Sequence, residues 1–231
     1  YKGRQEKDDN LRLALAVGEL LSQNGVDVLY TRTDDVYDSP YRKAMIANES
    51  GADYLISFHR NASPIAGNAS GIETLVYADR GVAAQMARDI NRELAALGFR
   101  DIGVIERPGL AVLRRSRMPA VLIETGFIDN DADNLKFDEE FEEIAAAISN
   151  GILETLRNEG QLPDSISSVS YPPESSNNSQ NERPPSPLSD NTPASKLYRV
   201  QVGAFKNRNY AYELNSQLTE EGFPAFILMD G

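Results

Sequence analysis

The sequence predicts an α/β fold over residues 1–160, with a mostly parallel sheet covered by helices on both faces. Short apolar runs of strand length alternate along this stretch with longer amphipathic runs of helical period. Strands that alternate with helices usually form parallel sheets, because each helix crosses one face of the sheet to reach the next strand. Two of the apolar runs also lead directly into polar residues, and ligands of such sheets bind beyond the carboxyl ends of the strands.

Before residue 80, helical and strand periodicity together with start and stop signals predict five elements. Acidic residues favour the first turn of a helix, glycine ends one, and a Ser-Pro pair caps and opens one. In chain order, the elements are a helix begun by Asp8 and ended by Gly25, a strand over 26–31, a helix opened by Ser39 and Pro40, a strand over 53–59 and a strand over 72–77.

Beyond residue 80 the alternation continues. An apolar helical face over 82–97 is ended by Gly98. A stretch with glycine and proline leads to the apolar residues 110–113 and then to a buried strand over 120–124. Large apolar residues at helical spacing over 137–156 predict a last amphipathic helix.

Residues 161–195 differ in composition from the rest of the chain. They contain seven of its twelve prolines among many serines and asparagines. Such a segment buries too little apolar surface to offset its ordering entropy, so we expect a disordered linker. Residues 196–231 then resume strand, helix and strand patterns, which predict a small β-α-β unit too short to be stable alone.

Composition excludes several functions. The net charge is -12, which argues against nucleic acid as the partner. The chain has no cysteine, so disulfides and thiolate metal sites are excluded. No apolar run reaches the roughly 18 residues expected of a membrane span. The sequence starts at Tyr1 and stops directly after a strand-like run, so we expect both ends to be cut.

Three residues could form a catalytic centre. His59 is the only histidine and closes one buried strand, Glu124 follows another, and Glu6 precedes the first helix. Catalytic zinc takes ligands from His, Asp and Glu, and a further carboxylate can move protons. Taken singly, each residue also has a plain structural interpretation. His59 could be structural, Glu6 could stabilise the helix dipole, and Glu124 could be the solvated end of a strand.

Five short motifs, in the same order, make residues 1–157 resemble the zinc-dependent N-acetylmuramoyl-L-alanine amidases of the amidase-3 family. The motifs are Glu6-Lys7, Thr31-Arg32-Thr33, Ser57-Phe58-His59-Arg60-Asn61-Ala62, Val112-Leu113-Arg114 with Met118-Pro119-Ala120, and Glu124-Thr125-Gly126-Phe127-Ile128-Asp129-Asn130.

The resemblance implies specific roles for these residues. Glu6 and His59 would be zinc ligands, and Glu124 the catalytic carboxylate. Asn61 would orient His59 or bind substrate, although a turn-forming role is an alternative. Apart from the resemblance, Arg114 belongs to a basic cluster with Arg115 and Arg117, which is interpreted first as a solvated loop, the alternative being contact with carboxylates of the stem peptide. The family's first zinc ligand is a histidine in an upstream Gly-His-Gly-Gly loop, which has no counterpart in this sequence.

Residues 196–231 resemble the first half of a SPOR domain, a module that binds peptidoglycan. The segment Tyr198-Arg199-Val200-Gln201-Val202-Gly203-Ala204-Phe205 matches the opening strand and turn of that family.

The sequence therefore predicts a monomeric cell-wall hydrolase, acting outside the cell or in the wall. Its substrate would be peptidoglycan, cut between N-acetylmuramic acid and L-alanine. Two alternatives stay open, namely a zinc peptidase acting on peptides and a non-catalytic peptidoglycan-binding protein.

Overall fold

The computed structural model describes residues 1–163, residue 169 and the backbone of residues 199–202. These residues contain six helices and six strands. The helices are α1 (Glu6–Gln23), α2 (Pro40–Ser50), α3 (Gly81–Ala96), α4 (Ala111–Arg115), α5 (Asp131–Glu139) and α6 (Phe141–Asn158). The strands are β1 (Asp27–Tyr30), β2 (Leu55–Asn61), β3 (Ile72–Val76), β4 (Asp101–Glu106), β5 (Ala120–Phe127) and β6 (Arg199–Val202).

A four-stranded sheet in the order β2-β5-β3-β4 forms the centre of the fold. Strands β2 and β5 pair in parallel, as do β3 and β4, whereas β3 and β5 are antiparallel. The predicted α/β fold with a mostly parallel sheet is therefore confirmed, with one antiparallel pair at its centre.

Helices cover both faces of this sheet, as the sequence predicts. Alternate residues of β5 point to opposite faces, because side chains alternate along a strand. Val121 and Ile123 join the large core formed with α1, α3 and α6. Ala120 and Leu122 join a smaller core that includes Ala47 of α2 and residues of α4. Glu124 continues the second series, so it lies at the end of the face covered by α2 and α4.

Strand β1 lies outside the four-stranded sheet and pairs in parallel with β6. The register runs from Asp27 opposite Arg199 to Tyr30 opposite Val202, and β6 also contacts β2. The first strand predicted within residues 196–231 is therefore present over residues 199–202. The remaining elements expected for residues 196–231, and nearly all of the expected linker over 161–195, lie outside the described residues.

Most predicted helices and strands are present within a few residues of their expected bounds. The Ser39 cap of α2 is confirmed, because Oγ of Ser39 accepts a hydrogen bond from the Arg42 backbone N–H at 3.2 Å. Strand β4 was not predicted, and the expected last helix is two helices that meet at Glu140. In the described part of the chain, no helix combines the length and the apolar character needed to cross a membrane.

Candidate active site

Three neighbouring strands place one polar residue each in a single row. His59 of β2 lies directly opposite Glu124 of β5, and Glu124 lies directly opposite Glu73 of β3. Directly opposite residues of paired strands point to the same face of the sheet. We call His59, Glu124 and Glu73 the three-strand row.

Glu6 meets one end of this row. Nδ1 of His59 lies 2.8 Å from Oε1 of Glu6, although the two residues are 53 positions apart in sequence. The side chains of His59 and Glu6 remain 36% and 41% exposed, so a ligand can reach them. The first turn of α1 and the end of β2 therefore bring an imidazole and a carboxylate together, as predicted.

Hydrogen bonds hold Glu6 in its ionised form. Burial alone would raise its pKa, but hydrogen bonds from His59, Asn10 and the Arg60 backbone outweigh burial and lower the pKa to about 2. All three donors contact the same oxygen, Oε1. Among the described residues, Oε2 of Glu6 has no hydrogen-bond partner. A carboxylate oxygen without a partner can coordinate a cation.

Glu124 has the opposite electrostatic environment. Burial raises its pKa to about 7, and the negative charges of Glu6 and Glu73 add to this effect, while His59 and Arg60 oppose it. Its Oε2 atom is shielded from solvent and accepts no hydrogen bond from the described part of the protein. Two nearby carboxyl groups whose pKa values are pushed apart are typical of active sites in which one group stays ionised and the other transfers protons.

Asn61 lies at the site, as predicted, but both polar atoms of its amide contact the protein. Nδ2 donates to Oε1 of Glu73 at 2.8 Å, and Oδ1 accepts from the Ala62 backbone N–H at 2.8 Å. Asn61 therefore fixes the turn after β2 and positions Glu73. The turn-forming contact was predicted from the sequence, and the contact with Glu73 was not.

A buried arginine holds the helix that carries Glu6 against the strand that carries His59. The Arg60 side chain is fully buried, donates to Asp9 at 2.7 Å and to Asn134 at 2.7 Å, and lies over the Phe137 ring at 4.2 Å. Arg4 donates to the same oxygen of Asp9 at 2.6 Å. These contacts join α1, β2 and α5, so they fix the distance between Glu6 and His59.

Arg114 lies on α4, on the side of the sheet that carries the three-strand row. It is exposed, and its side chain has no partner among the described residues. The turn that follows it is fixed by Asn48 of α2, which donates to the carbonyl of Arg115 and accepts from the backbone N–H of Arg117, both at 2.8 Å. Arg114 is thus held on a rigid element with its guanidinium available to a ligand.

The donor chemistry at this site fits zinc in part. Imidazole and carboxylate are donors that zinc prefers, and Glu6 and His59 present one of each. The described residues contain no group of three or more His, Cys, Asp or Glu that could hold a metal ion. The two residues therefore fit as two members of a three-ligand set.

Sequence reasoning missed Glu73 and Arg60. Glu73 is the one charged residue in the strand Ile72–Val76, and that interruption of an apolar run was the available signal. Arg60 lies inside the motif around His59, but the sequence pattern predicts a loop at this position. Its burial depends on Asp9 and Asn134, which are distant in sequence.

Comparison with known proteins agrees with this geometry. Residues 1–154 match the N-acetylmuramoyl-L-alanine amidase family, and residues 194–229 match the SPOR domain. The N-acetylmuramoyl-L-alanine amidase CwlM of Bacillus licheniformis is 33% identical over 232 residues, which cover 98% of this chain and 77% of that protein. The sporulation-specific amidase of Bacillus subtilis strain 168 is 31% identical, with the same coverage.

Solved structures give the same result. An N-acetylmuramoyl-L-alanine amidase from Clostridium difficile 630 superposes with a TM-score of 0.64 at 34% identity, over 68% of this chain and 87% of that one. The catalytic domain of CwlV from Bacillus (Paenibacillus) polymyxa var. colistinus gives a TM-score of 0.61 at 31% identity, over 67% and 87%. The chain belongs to the N-acetylmuramoyl-L-alanine amidase family.

Proposed function

We propose that this protein hydrolyses the amide between the lactyl group of N-acetylmuramic acid and L-alanine in peptidoglycan, with zinc as cofactor. The observation that carries the proposal is Glu124. It is a carboxyl group with a pKa of about 7, placed directly opposite His59, within a stretch that belongs to the amidase family.

His59 and Glu6 would hold the zinc. When bound, zinc polarises a carbonyl group and lowers the pKa of water to about 7. The low pKa of Glu6, about 2, keeps it a carboxylate at any pH at which the enzyme would work. Asn10 and the Arg60 backbone fix its Oε1 atom and thereby orient the carboxylate.

Glu124 would move the protons of the reaction. Its carboxylate accepts a proton from the attacking water and then donates that proton to the nitrogen of the leaving alanine. A pKa near the working pH favours both transfers, because the group gives up and takes back a proton with similar ease. Its Oε2 atom accepts no hydrogen bond in the described chain, so no protein contact to that atom competes with these transfers.

Of two further residues at the site, one would bind substrate and the other would hold the site in place. Arg114 would pair with a carboxylate of the stem peptide, for which a guanidinium has the right geometry. Asn61 would contribute by holding Glu73 and the turn after His59 in place, since both of its amide atoms are already bound.

The rest of the chain would bring the catalytic domain to its substrate. We propose a catalytic domain over 1–160, a linker over 161–195 and a peptidoglycan-binding module over 196–231, working outside the cell or in the wall. Tethering a binding module to an enzyme raises the local substrate concentration without changing the chemistry. Glu6, His59 and Glu124 all come from one chain, so the proposed active unit is a monomer.

Digestion of purified peptidoglycan tests the reaction. The chain would be assayed with zinc, both as it stands and preceded by the family's Gly-His-Gly-Gly strand and loop. We expect new alanine amino termini and no new reducing sugar ends. New reducing ends would show a glycosidase, and binding without any cleavage by either form would favour a non-catalytic wall protein.

Two substitutions test the roles of the residues. Glu124→Gln is expected to keep zinc and to lose at least about 100-fold in turnover, the usual contribution of general acid–base catalysis. His59→Ala is expected to lose both zinc and turnover. Zinc content measured by mass spectrometry after dialysis separates the two in the form preceded by the Gly-His-Gly-Gly loop, and loss of zinc from Glu124→Gln in that form would contradict the assignment.

A further inference from the structure

We propose that Glu73 is a substrate-binding residue whose free carboxylate oxygen accepts a hydrogen bond from an N–H group of the stem peptide, beyond the alanine that is released. This inference rests on the proposed amidase function and adds a determinant of substrate specificity to it.

The position of Glu73 in the sheet places its side chain beside Glu124. It faces Glu124 directly across the antiparallel pair and lies on the same face as Leu75, which packs in the core beside α2 and α4. Every other residue of β3 is buried, whereas Glu73 is only partly buried. The carboxylate therefore opens towards the same space as Glu124.

Packing alone gives no reason for a glutamate here. Like charges directly opposite each other in a sheet are destabilising, and β-branched residues suit such a position better. A residue that weakens its own strand pairing is expected where function needs it.

The hydrogen bonds of Glu73 leave one oxygen available. Oε1 accepts from Asn61, whose own amide is fixed by the Ala62 backbone N–H. Oε2 has no partner among the described residues, and Glu73 is not shielded from solvent. The carboxylate is thus oriented by one oxygen and can accept a donor from a ligand with the other.

The order of the row indicates which part of the substrate Glu73 would meet. His59, with Glu6, lies at one end, Glu124 lies in the middle and Glu73 lies at the other end. The carbonyl group under attack belongs beside His59 and Glu6, and the leaving nitrogen beside Glu124. The chain that continues from this nitrogen is the stem peptide, and its next backbone N–H is a donor of the type that a carboxylate accepts.

Two soluble substrates separate this role from others. N-acetylmuramoyl tripeptide has the N–H that follows alanine, and N-acetylmuramoyl-L-alanine methyl ester has an uncharged ester oxygen in its place. Glu73→Gln keeps an oxygen acceptor for Asn61 but removes the charge. We expect the KM for the tripeptide substrate to rise about tenfold, with kcat changed less than threefold, and neither constant to change for the short substrate.

Three controls make the result decisive. Glu73→Asp keeps the charge and should recover part of the loss, and Glu143→Gln, at an exposed position of α6, should change nothing. Titration calorimetry of the muramoyl tripeptide against the metal-free chain reads binding without turnover. In that titration Glu73→Gln should weaken binding by a similar factor.

An equal loss on both substrates would show that Glu73 acts on Glu124 or on the sheet, and would overturn the inference. No loss on either substrate, with unchanged binding, would overturn it as well. If the wild-type chain binds the tripeptide through Glu73 but never cleaves it, the inference stands and the proposed function fails. If it neither binds nor cleaves, both fail.

Discussion

At the residue scale, the environment of Glu124 links the folding stability of the chain to pH. Burial raises the pKa of this carboxyl group to about 7, from an ordinary value of 4.5. Between these two values the folded state binds more protons than the unfolded state, so stability falls as pH rises through this window. Above pH 7 the full destabilisation is present, because a buried group is then charged.

The variant Glu124→Gln should remove this pH dependence. In metal-free protein we expect it to be more stable than wild type by about 2 kcal/mol at pH 8 and to differ little at pH 4, where Glu124 is protonated in both states. Urea unfolding with a chelator present measures the difference. The exposed Glu143→Gln serves as control, and an equal gain at both pH values would contradict the raised pKa.

Residue identity in the sequence was enough to find part of the site. Glu6, His59 and Glu124 were predicted because each occupies a motif, and the structure brings Glu6 within 2.8 Å of His59. Glu73 escaped notice because its meaning depends on the antiparallel register of β3 with β5. That register depends on which strands pair, which local pattern does not determine.

At the element scale, the buried Arg60 joins three elements that together position the site. Burial lowers its pKa to about 10, so the guanidinium is still charged at neutral pH, with Asp9 as its ion-pair partner. Removing one member of a buried ion pair costs about 3 kcal/mol or more when the other member is left without compensation. Arg4 also donates to Asp9, so the loss of Arg60 should cost less than this.

Arg60→Met should therefore destabilise the chain by about 2 kcal/mol and weaken zinc binding, because α1 is no longer tied to β2. Arg60→Lys should lose less, since it retains a charge for Asp9. Chemical denaturation and a zinc competition assay measure the two effects, with the exposed Arg80→Met as control. Full stability of Arg60→Met would show that the network does not join these elements.

The packing of α3 against α6 offers a second element-scale prediction. A Cβ added at Gly151 of α6 would lie 2.6 Å from the backbone N and Cα atoms of Ile90 in α3. Gly151→Ala should therefore force the helices apart and cost about 2 kcal/mol, even though alanine favours helix. Gly109→Ala, where no atom lies within 4 Å, should be close to neutral in the same thermal unfolding assay.

The elements themselves were predictable where local signals were strong. The Ser39-Pro40 start of α2 and the apolar face of α3 are examples. Strand β4 was missed because Gly103, at a φ of 117°, interrupts it and because it lies at the edge of the sheet. The break at Glu140 was missed because Phe137 and Phe141 keep helical spacing across it, while their rings pack edge to face at 5.7 Å.

At the scale of the whole molecule, catalysis and substrate binding by the C-terminal module belong to different parts of the chain. The proposed catalytic residues lie between Glu6 and Glu124, and the match to the SPOR domain begins at residue 194. Deleting residues 203–231, which keeps strand β6 in place beside β1, should therefore leave cleavage of small soluble muropeptides within about twofold of wild type and reduce retention on insoluble sacculi. Cosedimentation with sacculi and a muropeptide assay measure the two, and a large loss on soluble substrate would contradict the separation.

The central claim is that Glu124 directs water to the carbonyl of the muramoyl–alanine amide. Digestion of a defined muropeptide in water enriched with ¹⁸O, followed by mass spectrometry of each product, tests it most directly. We predict one ¹⁸O atom in the lactyl carboxylate of muramic acid, none in the released peptide, and at least about 100-fold less labelled product with Glu124→Gln. A label in a peptide carboxylate or at a sugar carbon would contradict the claim.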